Sequence, residues 1–477
     1  MSPITELETL REKWKNLMFK GMFKEAEELY KEKLFSLIQE KFIKEVQMMI
    51  DSSEIPKYDL IIIPMGLHWN YAVLLINALK PKYVYFLCTK EAEEQFLDKV
   101  IEKTGLSQSE YKKDVVEYAG MDAAEVYGKI KKHLDMFRGK KIAVDLTRGK
   151  RAMSAGAAIV GDFFGCDLIY MDEEWIDEIK RGVPGTEKLV LVQNPLYLFG
   201  DLEKHFAYEL FNRHEYSAAQ KLFEELCKKV PDPRDFEVRT LISHGYDLWE
   251  SLNYKAAFQK LDLAFLKIKQ YGITELNLDQ LRLNLKALET LQKAQQSGVN
   301  FFEVLKDEKF VIHLLVDIYC NALRRAEQNR FEDALLRFYR LIELVSQHRL
   351  AKMNIDTNSP DQLKLNEIEQ KFKEVTKQLH GKEKEIPNQI ALMDGHIILF
   401  SFGDEIWKDK NIKDLMTFLE CIKSRDYSIV AHGITLVDRQ LYQKFLNNTK
   451  ELLVKLCNLY NQKFDYLTQQ HTPLRLS

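Results

Sequence analysis

The sequence predicts an α/β domain followed by all-α domains, with a Rossmann-like, mainly parallel sheet in the first part. Three observations favour this fold class. Short, fully apolar runs alternate with helical segments between residues 53 and 200, as in doubly wound sheets. A basic turn follows one of these runs directly, at 147–151. Beyond residue 200 the apolar periodicity is helical almost throughout.

The composition is that of an ordinary folded protein: 477 residues, 46% hydrophobic, 30% charged and a formal net charge of −3. This balance excludes a protein that coats nucleic acid by bulk positive charge, but it permits local basic pockets. The six cysteines show no C-x-x-C spacing, so reduced, mostly buried thiols are expected. No signal peptide and no membrane-length apolar run is found. We therefore expect a cytoplasmic protein without a membrane partner.

Four regions are expected along the chain. They are an N-terminal helical hairpin (1–52), a Rossmann-like ligand-sensing domain (53–200), a helical connector (201–305) and a last all-α domain (306–477). In the second region the expected strands are 59–64, 82–88, 115–118, 140–146, 166–171 and 188–195, with a helix over 122–137 between the third and the fourth.

One pattern recurs in the helical regions: an aromatic residue, an alanine three positions later and a large apolar residue seven positions later. It occurs at Tyr216–Ala219–Phe223, Tyr254–Ala257–Leu261 and Phe331–Ala334–Phe338, and also at Phe23–Ala26–Tyr30. These positions share one helix face, so the pattern fits either tetratricopeptide-like hairpins or generic amphipathic helices. The one candidate strand after Pro195 is HIILFSF, at 396–402.

The most informative stretch is VDLTRGKRAMS, at 144–154, which is expected to be a strand end, a tight turn and a helix start. Its polar and basic turn residues are Thr147, Arg148, Gly149, Lys150 and Arg151. Ligands of open α/β sheets bind at the carboxyl ends of strands, and a helix N-terminus there favours anions. The stretch therefore predicts a site for a phosphate-bearing ligand.

A second stretch, SRDYSIVAHG at 424–433, is expected within a helical run from Asp414 to Leu456. Arg425 and His432 are seven residues apart, so two helical turns would place them on one face. Arginine matches phosphate oxygens, and histidine exchanges protons near neutral pH. Together they could cleave an RNA phosphodiester without a metal, with Asp426 orienting the arginine or the substrate. The alternative is a half-buried, hydrogen-bonded pair.

Taken together, the two stretches resemble a known family. DLTRGKRAMS after a central strand looks like the ligand motif of CRISPR-associated Rossmann-fold (CARF) domains, and R-x6-H in a later all-α region looks like the catalytic motif of HEPN ribonucleases. The segment 321–350 resembles the first long helical hairpin of HEPN domains. The order resembles the ancillary ribonucleases of type III CRISPR systems, and the resemblance covers about 55–200 and 310–477.

The resemblance implies that a cyclic oligoadenylate binds across a homodimer of CARF domains, shifts the connector and activates a composite site that cuts single-stranded RNA. The catalytic residues carried over are Arg425, His432 and Asp426. The ligand-binding residues carried over are Asp145, Thr147, Arg148, Gly149, Lys150, Arg151 and Met153, with Gly66, His68 and Asn70 from the first strand's loop. No metal and no cofactor is implied. The chain departs from the family at Arg148-Gly149-Lys150, where many relatives carry Gly-Gly or Gly-Thr, and at Asp426, which is more often Asn.

Other readings remain for several residues. His68 is a candidate ligand-binding or ring-cleaving residue or a loop-capping histidine, and Trp69 could stack on adenine or pack. The acids Asp172, Glu173 and Glu174 are expected to be exposed rather than to bind a metal, whereas His313 and His396 are expected in the core.

Two other functions compete with the ribonuclease. One is a ring nuclease that cleaves its own messenger, with Thr147 and Lys150 positioning the attacking 2′-hydroxyl. The other is a nucleotide-sensing scaffold without catalytic activity.

Overall fold

A computed structural model describes residues 3–117, 122–193, 198–295, 300–425, 434 and 436–477. The chain divides into two compact units, Met1–Leu198 and Phe199–Ser477. The first contains the sheet and the second is helical, so the fold class expected from the sequence is confirmed.

The sheet of the first unit has six strands in the order β3-β2-β1-β4-β5-β8. They are β1 (Leu60–Met65), β2 (Tyr83–Thr89), β3 (Tyr111–Val116), β4 (Ile142–Asp145), β5 (Asp167–Asp172) and β8 (Lys188–Val192), with a separate hairpin of β6 (Trp175–Ile176) and β7 (Arg181–Gly182). All neighbours are parallel except β5 and β8, which are antiparallel. The third strand begins four residues earlier than expected from the sequence.

The helices of this unit cover both faces of the sheet. They are α1 (Pro3–Phe19), α2 (Phe23–Leu29), α3 (Phe35–Asp51), α4 (Trp69–Leu79), α5 (Lys90–Ala92), α6 (Asp98–Thr104), α7 (Ala123–Leu134) and α8 (Arg151–Phe163). Residues alternate along β1, so Ile61 faces one hydrophobic core and Ile62 the other. Trp14 and Phe42 belong to the same core as Ile61, so the N-terminal helices pack on the sheet.

The strand order reverses next to β1. The chain runs from β1 outwards to β2 and β3, and then returns to β4 on the other side of β1. In an open α/β sheet the loops at such a reversal diverge and leave a crevice at the carboxyl ends of the strands. The loops after β1 and β4 are therefore placed to form a ligand site.

The second unit contains no strand within its described residues. Its helices are α9 (Asp201–Asn212), α10 (Tyr216–Lys229), α11 (Arg234–Glu250), α12 (Tyr254–Tyr271), α13 (Leu278–Leu291), α14 (Phe301–Val304), α15 (Glu308–Glu327), α16 (Phe331–Lys352), α17 (Gln362–Asn366), α18 (Glu369–His380), α19 (Leu392–Phe402), α20 (Ile412–Ser424), α21 (Arg439–Leu459) and α22 (Phe464–Gln470). The aromatic–alanine pattern marks the start of α10, α12 and α16, and its alanines are buried in each. In the N-terminal copy of the pattern, the aromatic residue Phe23 is 61% exposed.

Two sequence expectations for this unit were wrong. The candidate strand at 396–402 is part of α19, because Ile397, Ile398 and Leu399 are all buried, which a helix surrounded by other helices also produces. The helical run expected from Asp414 to Leu456 is interrupted, because the described residues 434 and 436–438, just before α21, are not helical.

Residues 473–476 follow α22 without forming a helix or a strand and are here called the C-terminal strap. Leu474 and Leu476 are buried in the helical core. The Leu474 amide donates to the Tyr246 hydroxyl at 3.1 Å, and Leu476 exchanges two backbone hydrogen bonds with the Asn212 side chain, at 2.7 and 3.0 Å. The strap thus joins the end of the chain to α9 and α11.

Candidate functional site

The loops after β1 and β4 meet backbone to backbone. Gly149 has φ +102°, and a Cβ atom there would lie 3.2 Å from the Pro64 carbonyl oxygen. A Cβ atom on Gly66 would lie 3.2 Å from the Gly149 nitrogen. Because a side chain at either position would push the two loops apart, both glycines are needed for this close approach.

Asp145 and Thr147 hold the turn from within. The carboxylate of Asp145 accepts hydrogen bonds from the Thr147 amide at 2.9 Å and from the Thr147 hydroxyl. That hydroxyl in turn accepts from the Met171 amide at 2.9 Å. Asp145 is 2% exposed, and burial raises the pKa of its carboxyl to about 6 against the lowering effect of the two Thr147 bonds. These two side chains therefore shape the turn and tie it to β5.

A cavity of about 320 Å³ lies over this turn. It is lined by Gly66, Leu67, His68, Thr89, Glu91, Thr147, Arg148, Gly149 and Lys150. The structure thus brings together six of the ten residues expected to bind ligand. The cavity also adds Thr89, the last residue of the neighbouring strand β2, and Glu91, two residues later. Their position after an apolar strand was the available sequence signal, because carboxyl ends of adjacent parallel strands share one edge.

Four expected ligand residues lie elsewhere or are inaccessible. Asp145 and Met153 are buried beneath the turn, and Arg151 is exposed on the first turn of α8 without lining the cavity. The Asn70 amide donates to the Tyr30 hydroxyl at 2.9 Å and lines a neighbouring cavity of about 430 Å³.

Arg148 is engaged by two partners. Its Nη2 lies 2.7 Å from Oε1 of Glu173, and its guanidinium carbon lies 4.0 Å from the centre of the Tyr71 ring. The Tyr71 hydroxyl donates to the same carboxylate, 2.8 Å from Oε2. The Nε atom of Arg148 is buried without a hydrogen-bond partner among the described residues.

The expectation that Glu173 is exposed was therefore wrong, because its pairing with Arg148 and Tyr71 leaves the side chain only 11% exposed. Gly182 on β7 closes over it, since a Cβ atom there would lie 2.2 Å from the Glu173 carboxyl carbon. Asp172 and Glu174 are exposed as expected. No group of three or more His, Cys, Asp or Glu within the described residues is arranged to hold a metal ion.

α4 begins at Trp69, and His68 directly precedes it. His68 occupies the N-cap position, but its side chain makes no capping hydrogen bond and faces the cavity. Trp69 is buried, with its ring 5.0 Å from that of Phe35 and the Lys99 ammonium 3.9 Å above it. Trp69 therefore packs within the fold rather than offering a free face to a base.

The second candidate site lies at the end of α20. Arg425 caps this helix, and its guanidinium carbon lies 4.2 Å from the centre of the Tyr339 ring. Its Nε atom is buried and makes no hydrogen bond within the described part of the chain. Asp426 and His432 lie outside the described residues, so their expected place beside Arg425 stays a prediction.

The expected core histidines are confirmed. His396 is fully buried and its Nε2 lies 3.1 Å from the Ile342 carbonyl oxygen. His313 is 8% exposed and meets His471 at 3.0 Å, and His471 meets Asp317 at 3.1 Å. Asp317 also accepts from Trp249 at 2.7 Å. The sequence offered no signal for this buried network, whose members are up to 222 positions apart in the chain.

The cysteines are all free, and five of the six are buried, which agrees with the expected reduced thiols. Among the described residues, no helix is long and apolar enough to cross a lipid bilayer.

Two family models, a curated protein and a solved structure are similar to this chain. A model of the Csm6 6H domain matches residues 199–297, and a model of the Csm6 HEPN domain matches residues 304–456. The CRISPR system endoribonuclease Csm6 of Thermus thermophilus is 27% identical over 381 residues, which are 77% of this chain and 79% of that protein. The solved structure of Enterococcus italicus Csm6 bound to cyclic hexa-2'-fluoro-hexa-dAMP superposes with a TM-score of 0.48 at 12% identity, over 87% of this chain and 98% of that one.

Proposed function

We propose that this chain is a CARF–HEPN ribonuclease of the Csm6 family, an endoribonuclease activated by a cyclic oligoadenylate; its similarity to the Csm6 6H and HEPN domain models and to a Csm6 endoribonuclease supports this. One observation carries the proposal: the R-x6-H motif at 425–432 lies inside the segment that matches the HEPN domain. The substrate is single-stranded RNA, and neither a metal ion nor a cofactor takes part in the cleavage.

The messenger binds in the cavity over the β4–α8 turn. Arg148 and Lys150 line this cavity, and the N-terminus of the 13-residue helix α8 adjoins it. A guanidinium and an ammonium beside free helical N–H groups suit the phosphates of a nucleotide ring. Gly66 and Gly149 let the two loops that line the cavity meet, because neither residue carries a side chain.

The RNA is cut by Arg425 and His432. The 2′-hydroxyl loses its proton and attacks the adjacent phosphorus, the bond to the 5′-oxygen breaks, and that oxygen gains a proton. His432 moves a proton, Arg425 neutralises the charge of the phosphorane, and Asp426 orients the arginine or the substrate. The products carry a 2′,3′-cyclic phosphate and a 5′-hydroxyl. Two copies of the chain contribute to one composite site.

The division of labour along the chain follows from this proposal. Residues 53–200 sense the messenger and 306–477 cut RNA, whereas 201–305 connect the two and 1–52 form an accessory helical segment.

The test is cleavage of end-labelled single-stranded RNA with cyclic oligoadenylates of different ring size, in EDTA. The wild type should cleave only with one of the rings, and both His432→Ala and Arg425→Ala should be inactive while remaining dimeric by light scattering. Cleavage that is abolished by EDTA contradicts the metal-free mechanism.

The same assay separates the two alternatives. Linearised messenger without RNA cleavage indicates a ring nuclease, and binding of messenger with neither product indicates a scaffold. Both hydrogen-bonding roles of the Thr147 hydroxyl are taken by Asp145 and Met171, so this hydroxyl offers little help to ring cleavage.

A further inference from the structure

Arg425 lies over the ring of Tyr339. The guanidinium carbon is 4.2 Å from the centre of this ring, within the range of a cation–π contact. Such a contact restrains a guanidinium without using any of its N–H donors in a hydrogen bond. A phosphate is bound through those donors, so the ring can orient the arginine without competing with the RNA for hydrogen bonds.

The arginine is a long side chain that would otherwise sample many rotamers, at a cost in entropy when it binds. Among the described residues, the buried Nε atom of Arg425 makes no hydrogen bond. The Tyr339 ring is therefore a contact that restrains the guanidinium where these residues offer Nε no acceptor.

The helix that carries Tyr339, α16, also accepts a hydrogen bond from Val437, which follows the R-x6-H motif in the sequence. The Val437 amide donates to Oε1 of Glu332 at 3.2 Å. Glu332 and Tyr339 are seven residues apart on α16, so two helical turns place them on one face. The same face of α16 therefore contacts Arg425, where the R-x6-H motif begins, and Val437, which lies beyond the end of the motif.

This helix is itself firmly placed. α16 packs against α15, α19 and α21. Phe338, next to Tyr339, is fully buried, and its ring lies 5.8 Å from that of Tyr442 on α21. A helix that packs against three others can hold a catalytic group within the narrow geometry that phosphoryl chemistry requires.

We infer that Tyr339 is a positioning residue for ribonuclease catalysis. Its ring orients the Arg425 guanidinium before the charged phosphorane forms, and α16 supplies both Tyr339 and the Glu332 carboxylate that binds Val437. The inference rests on the proposed function, since it requires Arg425 to be catalytic. It assigns a role to a residue of the first long helical hairpin, far from the R-x6-H motif in sequence.

The test compares Tyr339→Leu with Tyr339→Phe in RNA cleavage at saturating activator. Phenylalanine keeps the aromatic face, so its kcat should stay within about twofold of the wild type, whereas leucine should lower kcat about tenfold with little change in KM. Tyr339→Leu must also keep the wild-type melting temperature, because phenylalanine would rescue a role in packing as well. Equal kcat for Tyr339→Leu and the wild type overturns the inference.

A second readout does not depend on RNA cleavage. The rate at which phenylglyoxal modifies Arg425 is followed by peptide mass spectrometry, with Arg282, whose side chain is 63% exposed, as the internal reference. Arg425 should react several-fold faster in Tyr339→Leu than in the wild type or in Tyr339→Phe. Equal rates in all three overturn the inference.

Failure of the proposed function gives a different result. RNA cleavage that survives in Arg425→Ala would remove the catalytic role of this arginine, whatever the Tyr339 variants do. An inactive wild type would also reject the ribonuclease, and the phenylglyoxal rates would still decide whether Tyr339 holds Arg425.

Glu332→Gln, which keeps an acceptor for Val437, should be more active than Glu332→Ala.

Discussion

Arg148, in the turn between β4 and α8, forms an ion pair with Glu173, in which Nη2 and Oε1 are 2.7 Å apart. The carboxylate takes the position that an anionic ligand of Arg148 would have to share or displace. The pair is largely enclosed, with side-chain exposures of 29% and 11%, so water screens it less than it screens a surface pair.

Glu173→Gln should therefore strengthen binding of the messenger. Removing the negative charge frees the guanidinium for phosphate, and we expect the Kd for the activating ring to fall about tenfold, in calorimetry or filter binding. Glu174→Gln is the matched control, because it removes the same charge one residue later from an exposed side chain. Equal or weaker binding by Glu173→Gln would show that the carboxylate supports Arg148 rather than competing for it.

Gly149→Ala should disrupt the ligand turn. Its φ of +102° and the 3.2 Å approach to the Pro64 carbonyl oxygen leave no room for a methyl group, so we expect a loss of about 1 to 3 kcal/mol in stability and at least tenfold weaker messenger binding. Gly128→Ala is the control, since a Cβ atom at this helical position meets nothing within 4 Å and should be neutral or slightly stabilising. Unchanged binding by Gly149→Ala would separate the turn from the ligand site.

Glu187 should make the sheet less stable as pH rises. It is 4% exposed, and burial raises the pKa of its carboxyl to about 7, above the value of about 4.3 of an unfolded chain. The folded state thus binds this proton more tightly. The resulting stabilisation is complete below pH 4.3 and is lost as pH rises through 7, by about 4 kcal/mol at most. Asp145, whose pKa is raised to about 6, acts in the same direction at lower pH.

The measurement is hydrogen exchange of β5 and β8 at about pH 5.5 and about pH 8, corrected for intrinsic exchange. Glu187→Gln should remove most of the difference in protection between the two pH values, whereas Glu178→Gln, at an exposed position nearby, should not. A difference that is unchanged in Glu187→Gln would assign the pH dependence to other groups.

Asp317→Ala should destabilise the second unit. Its carboxylate is fully buried and accepts from Trp249 at 2.7 Å and from Tyr254 at 2.9 Å, so alanine would leave two buried donors unpaired. We expect a loss of about 3 kcal/mol in the free energy of unfolding, measured with urea. Asp279→Ala, at a side chain that is 90% exposed, should change it by less than about 0.5 kcal/mol. Equal losses would contradict the structural role of Asp317.

The fold and the position of the ligand turn could be predicted from the sequence because they depend on local patterns. The apolar runs of β1 and β4 and the glycine at 149 mark strands and a turn without any knowledge of their neighbours. The engagement of Arg148 could not be predicted in this way, since its partner Glu173 is 25 positions away. The interruption before α21 was missed because Ile434, Leu436 and Val437 continue the apolar composition of a helix.

The C-terminal strap bears on how the second unit folds. Asn212 bonds Leu476 across 264 positions, and one continuous core runs from Ala207 to Leu476. We therefore expect the segments that match the 6H and HEPN domains to depend on one another for stability. During synthesis at roughly 5 to 20 residues per second, α9 and α11 wait on the order of tens of seconds for their contacts with the strap. A chain cut short before Leu474 lacks these contacts, so we expect shortened products to be less stable and to be degraded more readily.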